Sequence, residues 1–223
     1  MIFYLKAGMR TSFETHVQEY DSWYDEHSKV FDSELAAINK VLGHVHPEQR
    51  SIDIGVGTGR FAQALNITHG ADPSLGMLEL ARKRNIVCTQ AVAENLPFKN
   101  KSFDLALMVT VDCFLIDLKQ AFSEIYRILK PDGRLVLEMI DMNSELGKTY
   151  EKKQPENKFY RYARFRSVEE ISEFLHEAGL RKVTTVQTLF RPLRMIENAE
   201  PVKYGYGEGG FVVISAIKEK HDS

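Results

Sequence analysis

The stretch Asp53-Ile-Gly55-Val-Gly57-Thr-Gly59-Arg60 decides how this chain folds. It follows a short apolar run, Arg50-Ser-Ile-Asp-Ile54, and leads into residues 58–65, which read as a helix. A strand that passes through a glycine turn into a helix is where open α/β sheets bind ligands. Glycine serves where backbone must approach a ligand closely or adopt positive φ. The helix start beyond it offers unpaired N–H groups and a field that favours a carboxylate. The spacing is G-x-G-x-G, and Arg60 stands where a dinucleotide fingerprint has its third glycine. Asp53 puts negative charge where a pyrophosphate would be repelled, and it suits a ligand that carries an ammonium group. Asp72, at the end of the next strand, is placed to accept hydrogen bonds from both hydroxyls of a ribose, although it also precedes a helix that starts near Ser74.

Outward from this loop, apolar runs and helical patterns alternate. Strands are predicted at residues 50–54, 67–72, 86–92, 103–111 and 134–140, with helices at 58–65, 75–84 and 118–129 between them. Ser74 and Asp117 are expected caps, and Ser167-Val-Glu-Glu170 is a capping box for a helix that Gly179 closes. Two late strands, 183–190 and 211–218, are joined by a turn-rich stretch without a crossover helix, so they are expected to run antiparallel. The pattern predicts an α/β fold: a doubly wound, seven-stranded, mostly parallel sheet with an antiparallel C-terminal strand. Before the sheet, Ser12 is the expected cap of a helix carrying Phe13 to Phe31 at steps of three and four, and Ser33 of a second helix that Gly43 ends.

The chain has 223 residues, 43% hydrophobic and 27% charged, with a net charge of −2. This suits one large domain, or one domain with a small lid, and carries no basic footprint for nucleic acid. The two cysteines, Cys88 and Cys113, are far apart, and a reducing, cytoplasmic setting is expected. The apolar opening Met1-Ile-Phe-Tyr-Leu-Lys6 is too short for a signal sequence, and no run approaches a membrane span.

Five segments carry a resemblance: Asp53–Gly59; Gly70-Ala-Asp-Pro-Ser-Leu-Gly-Met-Leu-Glu-Leu-Ala-Arg82; Ala93-Glu-Asn-Leu-Pro-Phe98; Ser102-Phe-Asp-Leu105; and Glu124-Ile-Tyr-Arg-Ile-Leu-Lys-Pro-Asp-Gly133. In this order they resemble the class I S-adenosylmethionine methyltransferases, in the small-molecule branch that includes the ubiquinone and menaquinone biosynthesis enzymes. The resemblance implies a Rossmann-like methyltransferase fold with S-adenosylmethionine as cofactor and a small-molecule acceptor. It implies that Asp53, Gly55, Gly57 and Gly59 hold the methionine part, that Asp72 holds the ribose, that Met77, Ala93 and Glu94 meet the adenine, and that Thr110 flanks the sulfonium. Pro131-Asp-Gly133 stands where the family usually has Pro-Gly-Gly. Residues 1–45 are expected to form a helical lid that brings Tyr20 and Tyr24 over the cofactor. Residues 46–223 form the catalytic domain, with an acceptor-side insert at about 141–166. Other readings are a nucleotide-dependent oxidoreductase, a tRNA or protein methyltransferase, and a cofactor-binding module without catalysis.

A general base is needed only for a protonated acceptor, and His16, Tyr20, Tyr24, His27 and Asp141 all remain candidates. The spacing Tyr126-x-x-x-Lys130 matches dehydrogenase catalysts but lacks their glycine pattern. Gly205-Tyr-Gly-Glu-Gly-Gly210 leads into a strand, so no helix faces a phosphate there. His44-Val-His46 reads as a surface turn, and the basic, aromatic stretch 152–166 as an amphipathic lid element.

Overall fold

A computed structural model of the protein describes residues 12–46 and 48–219. The apolar opening Met1–Lys6 and the first part of the expected lid lie outside the described residues. Helices α1 (Val17–Glu26) and α2 (Ser28–Leu42) precede strand β1 (Ser51–Ile54). Then come α3 (Arg60–Ala64), β2 (His69–Asp72), α4 (Leu75–Lys83), β3 (Val87–Gln90), β4 (Phe103–Val109), α5 (Leu118–Ile128) and β5 (Leu129–Ile140). The rest comprises α6 (Glu145–Lys153), α7 (Val168–Glu177), β6 (Leu180–Thr188), β7 (Lys203–Tyr204) and β8 (Phe211–Lys218).

The strands form one sheet in the order β3-β2-β1-β4-β5-β8-β6-β7. From β3 to β5 they are parallel, and β8 runs antiparallel between β5 and β6. The doubly wound sheet and its antiparallel C-terminal strand are as expected, but there are eight strands rather than seven. The addition is the two-residue β7, which pairs at the outer edge of β6 and is too short for a periodic signal.

Alternation along the central strands builds a core on each face of the sheet. Ala106 and Met108 of β4 and Leu135 and Leu137 of β5 pack with Phe122 and Ile125 of α5 and Ile171 of α7. Leu105 and Leu107 of β4 and Val136 of β5 face the other way, onto Ile38 of α2, Phe61 of α3 and Leu78 of α4. Both faces of β4 are therefore covered, which is why its sequence is an unbroken apolar run. The predicted caps form: Ser74, Asp117 and Ser167 accept the N–H of Met77, Gln120 and Glu170.

Three local expectations are corrected. The first helix is not continuous from Ser12: residues 12–15 are helical, His16 breaks the path, and His27 separates α1 from α2. Ser33 is not a cap but lies inside α2, where its hydroxyl donates to the Lys29 carbonyl and accepts the Glu200 N–H. These two bonds satisfy the buried hydroxyl inside the helix, so the serine need not sit at an end. Strand β5 begins at Leu129 rather than Arg134. Its register with β4 jumps from Phe103↔Leu129 to Leu105↔Arg134, and the intervening turn places Asp132 at φ +62°. That left-handed conformation is one a glycine adopts without strain. Among the described residues, no helix is long and apolar enough to cross a membrane.

Candidate functional site

The site lies beyond the carboxyl ends of β1, β2 and β4, the usual ligand position in a sheet of this order. After β1 the chain turns through Gly55 (φ +78°), where a Cβ would meet the Val111 side chain at 2.2 Å. Gly57 (φ +51°) donates its N–H to Asp72 Oδ2 at 3.0 Å, and Asp72 Oδ1 accepts the Ser74 N–H at 2.8 Å. Asp72 thus ties the glycine loop to the start of α4, while Ser74 caps that helix.

Asp53 lies beneath the loop with Oδ1 buried and without a hydrogen-bond partner. Burial, with the nearby Asp72 carboxylate, pushes Asp53 up to about 8. Burial also raises Asp72, to about 6, against the two backbone N–H groups that hold it down. Two buried carboxylates that resist ionisation, one with an unpaired oxygen, form a receptor for a cation with N–H donors.

At the end of β4, Thr110 has φ +53°, a strained conformation for a β-branched residue. Its N–H bonds the Glu138 carbonyl at 3.1 Å, and its hydroxyl donates to Glu138 Oε2 at 2.5 Å. Glu138 itself is fully buried in β5, and burial raises its carboxyl well above the usual range.

These elements surround a first cavity lined by Tyr20, Gly55, Gly57, Asp72, Met77, Ala93, Glu94 and Thr110, with Phe13, Phe114 and Leu115. Eight of the eleven residues singled out from the sequence therefore share one wall. Glu94 also accepts the Ile116 N–H at 3.1 Å, which fixes the loop carrying Phe114 and Leu115. The other three lie outside the lining. Asp53 sits behind the glycine loop. Gly59 (φ +85°) faces Ala81 of α4, where a Cβ would lie 3.1 Å from its backbone, so it permits close packing of the loop on α4. Tyr24 reaches the cavity only through Tyr20, whose hydroxyl is 3.1 Å from its own.

A second cavity of about 380 Å³ opens on the other side of Tyr20 and Thr110, which line both. Its walls include Tyr24 and Glu34, Tyr150 of α6, and Phe159 and Tyr160 from the loop that follows. The amphipathic reading of residues 152–166 holds in part: Phe159 and Tyr160 turn inward while Lys152, Lys153, Arg161 and Arg164 are exposed, but Tyr162 is exposed and Arg166 is buried, donating to the Asp112 carbonyl.

Residues 12–26 are pinned across the site by polar contacts. Glu14 accepts the N–H groups of Leu75 and Gly76, and Ser74 donates to the Phe13 carbonyl. Asp21 accepts from Arg60 and Arg84, Asp25 from Arg60, and Glu19 from Lys158. Burial alone would raise Asp21, but hydrogen bonds from Arg60, Thr58 and Arg84 prevail and hold it near 2.

Of the candidate bases, Tyr20 and Tyr24 face the second cavity, and burial raises both hydroxyls. His27 stacks on Trp23 and bonds its carbonyl; His16 is exposed beside Glu19; Asp141 accepts the Asn143 N–H in a turn outside both cavities. Sequence reasoning missed Glu34 and Glu138. Tyr126 packs on Gly179 and under Lys218, and Lys130 pairs with Asp104. After Gly205 the N–H groups of Glu208 and Gly209 donate to Gln187 Oε1, and the described residues hold no cluster of metal-ligating side chains around His44 and His46 or elsewhere.

The chain has recognisable relatives. A family profile described as a methyltransferase domain matches residues 52–137. An uncharacterized protein of Methanocaldococcus jannaschii is 43% identical over 92% of this chain and 98% of its own. A demethylmenaquinone methyltransferase of Corynebacterium kroppenstedtii is 34% identical over 41% of this chain and 42% of its own. Among solved structures, an S-adenosylmethionine-dependent methyltransferase of Thermotoga maritima, described as a possible histamine N-methyltransferase, superposes with a TM-score of 0.89 at 46% identity, covering 95% of this chain and all of its own.

Proposed function

The chain belongs to the S-adenosylmethionine-dependent methyltransferases, and from that premise we propose that it methylates a small-molecule acceptor held in the second cavity. The observation that carries this reading is the shared wall: Tyr20 and Thr110 border both cavities, so a ligand in one faces a ligand in the other across that junction. The second cavity is rich in aromatic side chains and of the size usual for small-molecule sites.

S-adenosylmethionine is the cofactor, and when bound it supplies an electrophilic methyl group on a sulfonium. The first cavity fits it on this chain's own chemistry. The backbone of Gly55 and Gly57 holds the methionine part, and Asp53 acts from behind the loop, where its unpaired buried oxygen favours the ammonium. Asp72 accepts from the ribose, and Met77, Ala93 and Glu94 border the adenine. Thr110 and Tyr20 flank the junction, where an aromatic ring tolerates positive charge and excludes water. Gly59 and Tyr24 act one step back, by packing the loop and by fixing Tyr20.

In this reading residues 1–45 are the lid of domain 46–223, and the insert at 141–166 closes the acceptor side. The protein contributes alignment and desolvation, the two factors a direct displacement needs. Neither an oxidoreductase nor a tRNA or protein methyltransferase is favoured by the relatives. The test is incubation of the protein with S-adenosylmethionine carrying a labelled methyl group and a whole-cell extract split by size. Label in the small-molecule fraction is expected; label confined to protein or RNA would overturn the reading.

A further inference from the structure

Aromatic rings enclose the second cavity: Tyr20, Trp23 and Tyr24 from α1, Tyr150 from α6, and Phe159 and Tyr160 beyond it. Among them sits Glu34 of α2. It is 8% exposed, it borders the cavity, and it makes no hydrogen bond or ion pair with any described residue. A buried carboxylate without a partner is costly unless a ligand supplies the partner. Glu138, fully buried nearby, has an oxygen without a partner as well, and its charge and that of Glu34 oppose each other. At the mouth stand Glu19, Glu26 and Glu156. Lys158, the one cationic side chain among the described residues of this lining, is already held by Glu19 at 2.6 Å. The cavity thus sets acidic side chains at its mouth and one unpartnered acid, Glu34, among aromatic faces, and acids and aromatic faces are the two features that attract organic cations.

Building on the acceptor reading above, we propose that the acceptor is an amine that enters as an ammonium ion, pairs with Glu34 among these rings, and passes Glu34 the proton that frees its nitrogen lone pair. In that transfer an N–H bond breaks, an O–H bond forms on Glu34, and nitrogen keeps the electron pair. The lone pair then forms the new nitrogen–carbon bond while the carbon–sulfur bond breaks. Sulfur keeps those electrons as a neutral thioether, and the methylated nitrogen carries the positive charge. Burial pushes Glu34 up to about 8, so a fraction is ionised near neutrality; an arriving ammonium favours that form, which then takes the proton. The neighbouring hydroxyls of Tyr20, Tyr24, Tyr150 and Tyr160 are all raised by burial and stay protonated there.

The test is calorimetric titration of the protein saturated with S-adenosylhomocysteine. The probes are 2-phenylethylamine, tryptamine and hexylamine, each beside the alcohol of the same skeleton. At least one amine is expected to bind tenfold or more tightly than its alcohol. Glu34→Gln should erase that preference, leave the alcohol's affinity unchanged, and keep or raise the melting temperature, because it removes a buried unpartnered acid. Binding of no amine, equal affinity for amine and alcohol, or an undiminished preference in the glutamine variant would overturn the proposal. Methylated alcohols, phenols or acids in the small-molecule fraction, without methylated amines, would overturn it while leaving the acceptor cavity intact. Label confined to macromolecules would remove both.

Discussion

Thr110 and Glu138 are locked together at the carboxyl ends of β4 and β5: the threonine hydroxyl donates to the glutamate over 2.5 Å, and the threonine N–H bonds the glutamate's own carbonyl. The pair holds Thr110 in a left-handed conformation at the junction of the two cavities. Thr110→Ala leaves both oxygens of a buried carboxyl unpartnered and is expected to cost about 1–3 kcal/mol of stability. Glu138→Gln keeps an acceptor for the hydroxyl and should be milder. Denaturant melts of the two variants check this, and an alanine variant as stable as the parent would show that the bond contributes nothing.

Asp53 is expected to oppose stability while serving binding. Asp53→Asn removes a buried carboxyl that ionises only with difficulty. The free variant should therefore melt higher than the parent at pH 8, by roughly 2–4 °C for each kcal/mol relieved. Its affinity for S-adenosylmethionine should fall at least roughly tenfold, the equivalent of about 1.4 kcal/mol. Retained affinity with a raised melting temperature would leave Asp53 without a role in binding.

The pH dependence of the free protein follows from the same group of acids. Asp53 and Glu34 near 8, Asp72 near 6 and Asp112, buried in the turn that follows β4, near 7 all lie above their unfolded values. Burial is the largest cause in each. The folded chain holds these protons more tightly than the unfolded chain, so their contribution is fully present below about pH 4 and is lost as pH rises through 6 to 8. Melting temperature is expected to fall between pH 5 and pH 8, and less steeply with cofactor bound. A rise across that interval would contradict the assignment.

The lid reading predicts a protease pattern. Asp21 clamps Arg60 and Arg84, with side chains mostly buried, and this ties α1 to the glycine loop and to the end of α4. Asp21→Ala should speed cleavage within residues 12–45 by roughly tenfold, and cofactor should slow cleavage in the parent, because local opening governs the rate. Equal cleavage of both proteins, with and without cofactor, would mean that the segment is ordinary packing.

The doubly wound sheet was legible because its signals are local and repeated: apolar runs of strand length, capping side chains such as Ser74 and Ser167, and a glycine loop after an acidic strand end. The wall of the first cavity was legible because one loop and two strand ends supply most of it. For the second cavity the sequence pointed to the contributing segments, the N-terminal helix and the insert at about 141–166, but not to the meeting of Tyr150 and Tyr160 with Tyr20 and Glu34, which only the tertiary fold brings about. Glu34 did leave a signal: it falls on the stripe of Val30, Ile38 and Val41, where a solvated charge does not belong. Glu138 did the same inside the apolar run of β5. The strain at Thr110 left none, because no residue type there announces a positive φ.

Calorimetric titration of S-adenosylmethionine into the parent and Asp72→Ala, with melting curves to establish that both are folded, tests the placement of the cofactor in the first cavity. In the parent Asp72 already holds the N–H groups of Gly57 and Ser74 and borders the first cavity. Loss of charge-assisted bonds worth about 1.5–3 kcal/mol predicts a roughly ten- to hundredfold weaker complex in the variant. Unchanged affinity in a folded Asp72→Ala protein would contradict the placement of the cofactor in this cavity.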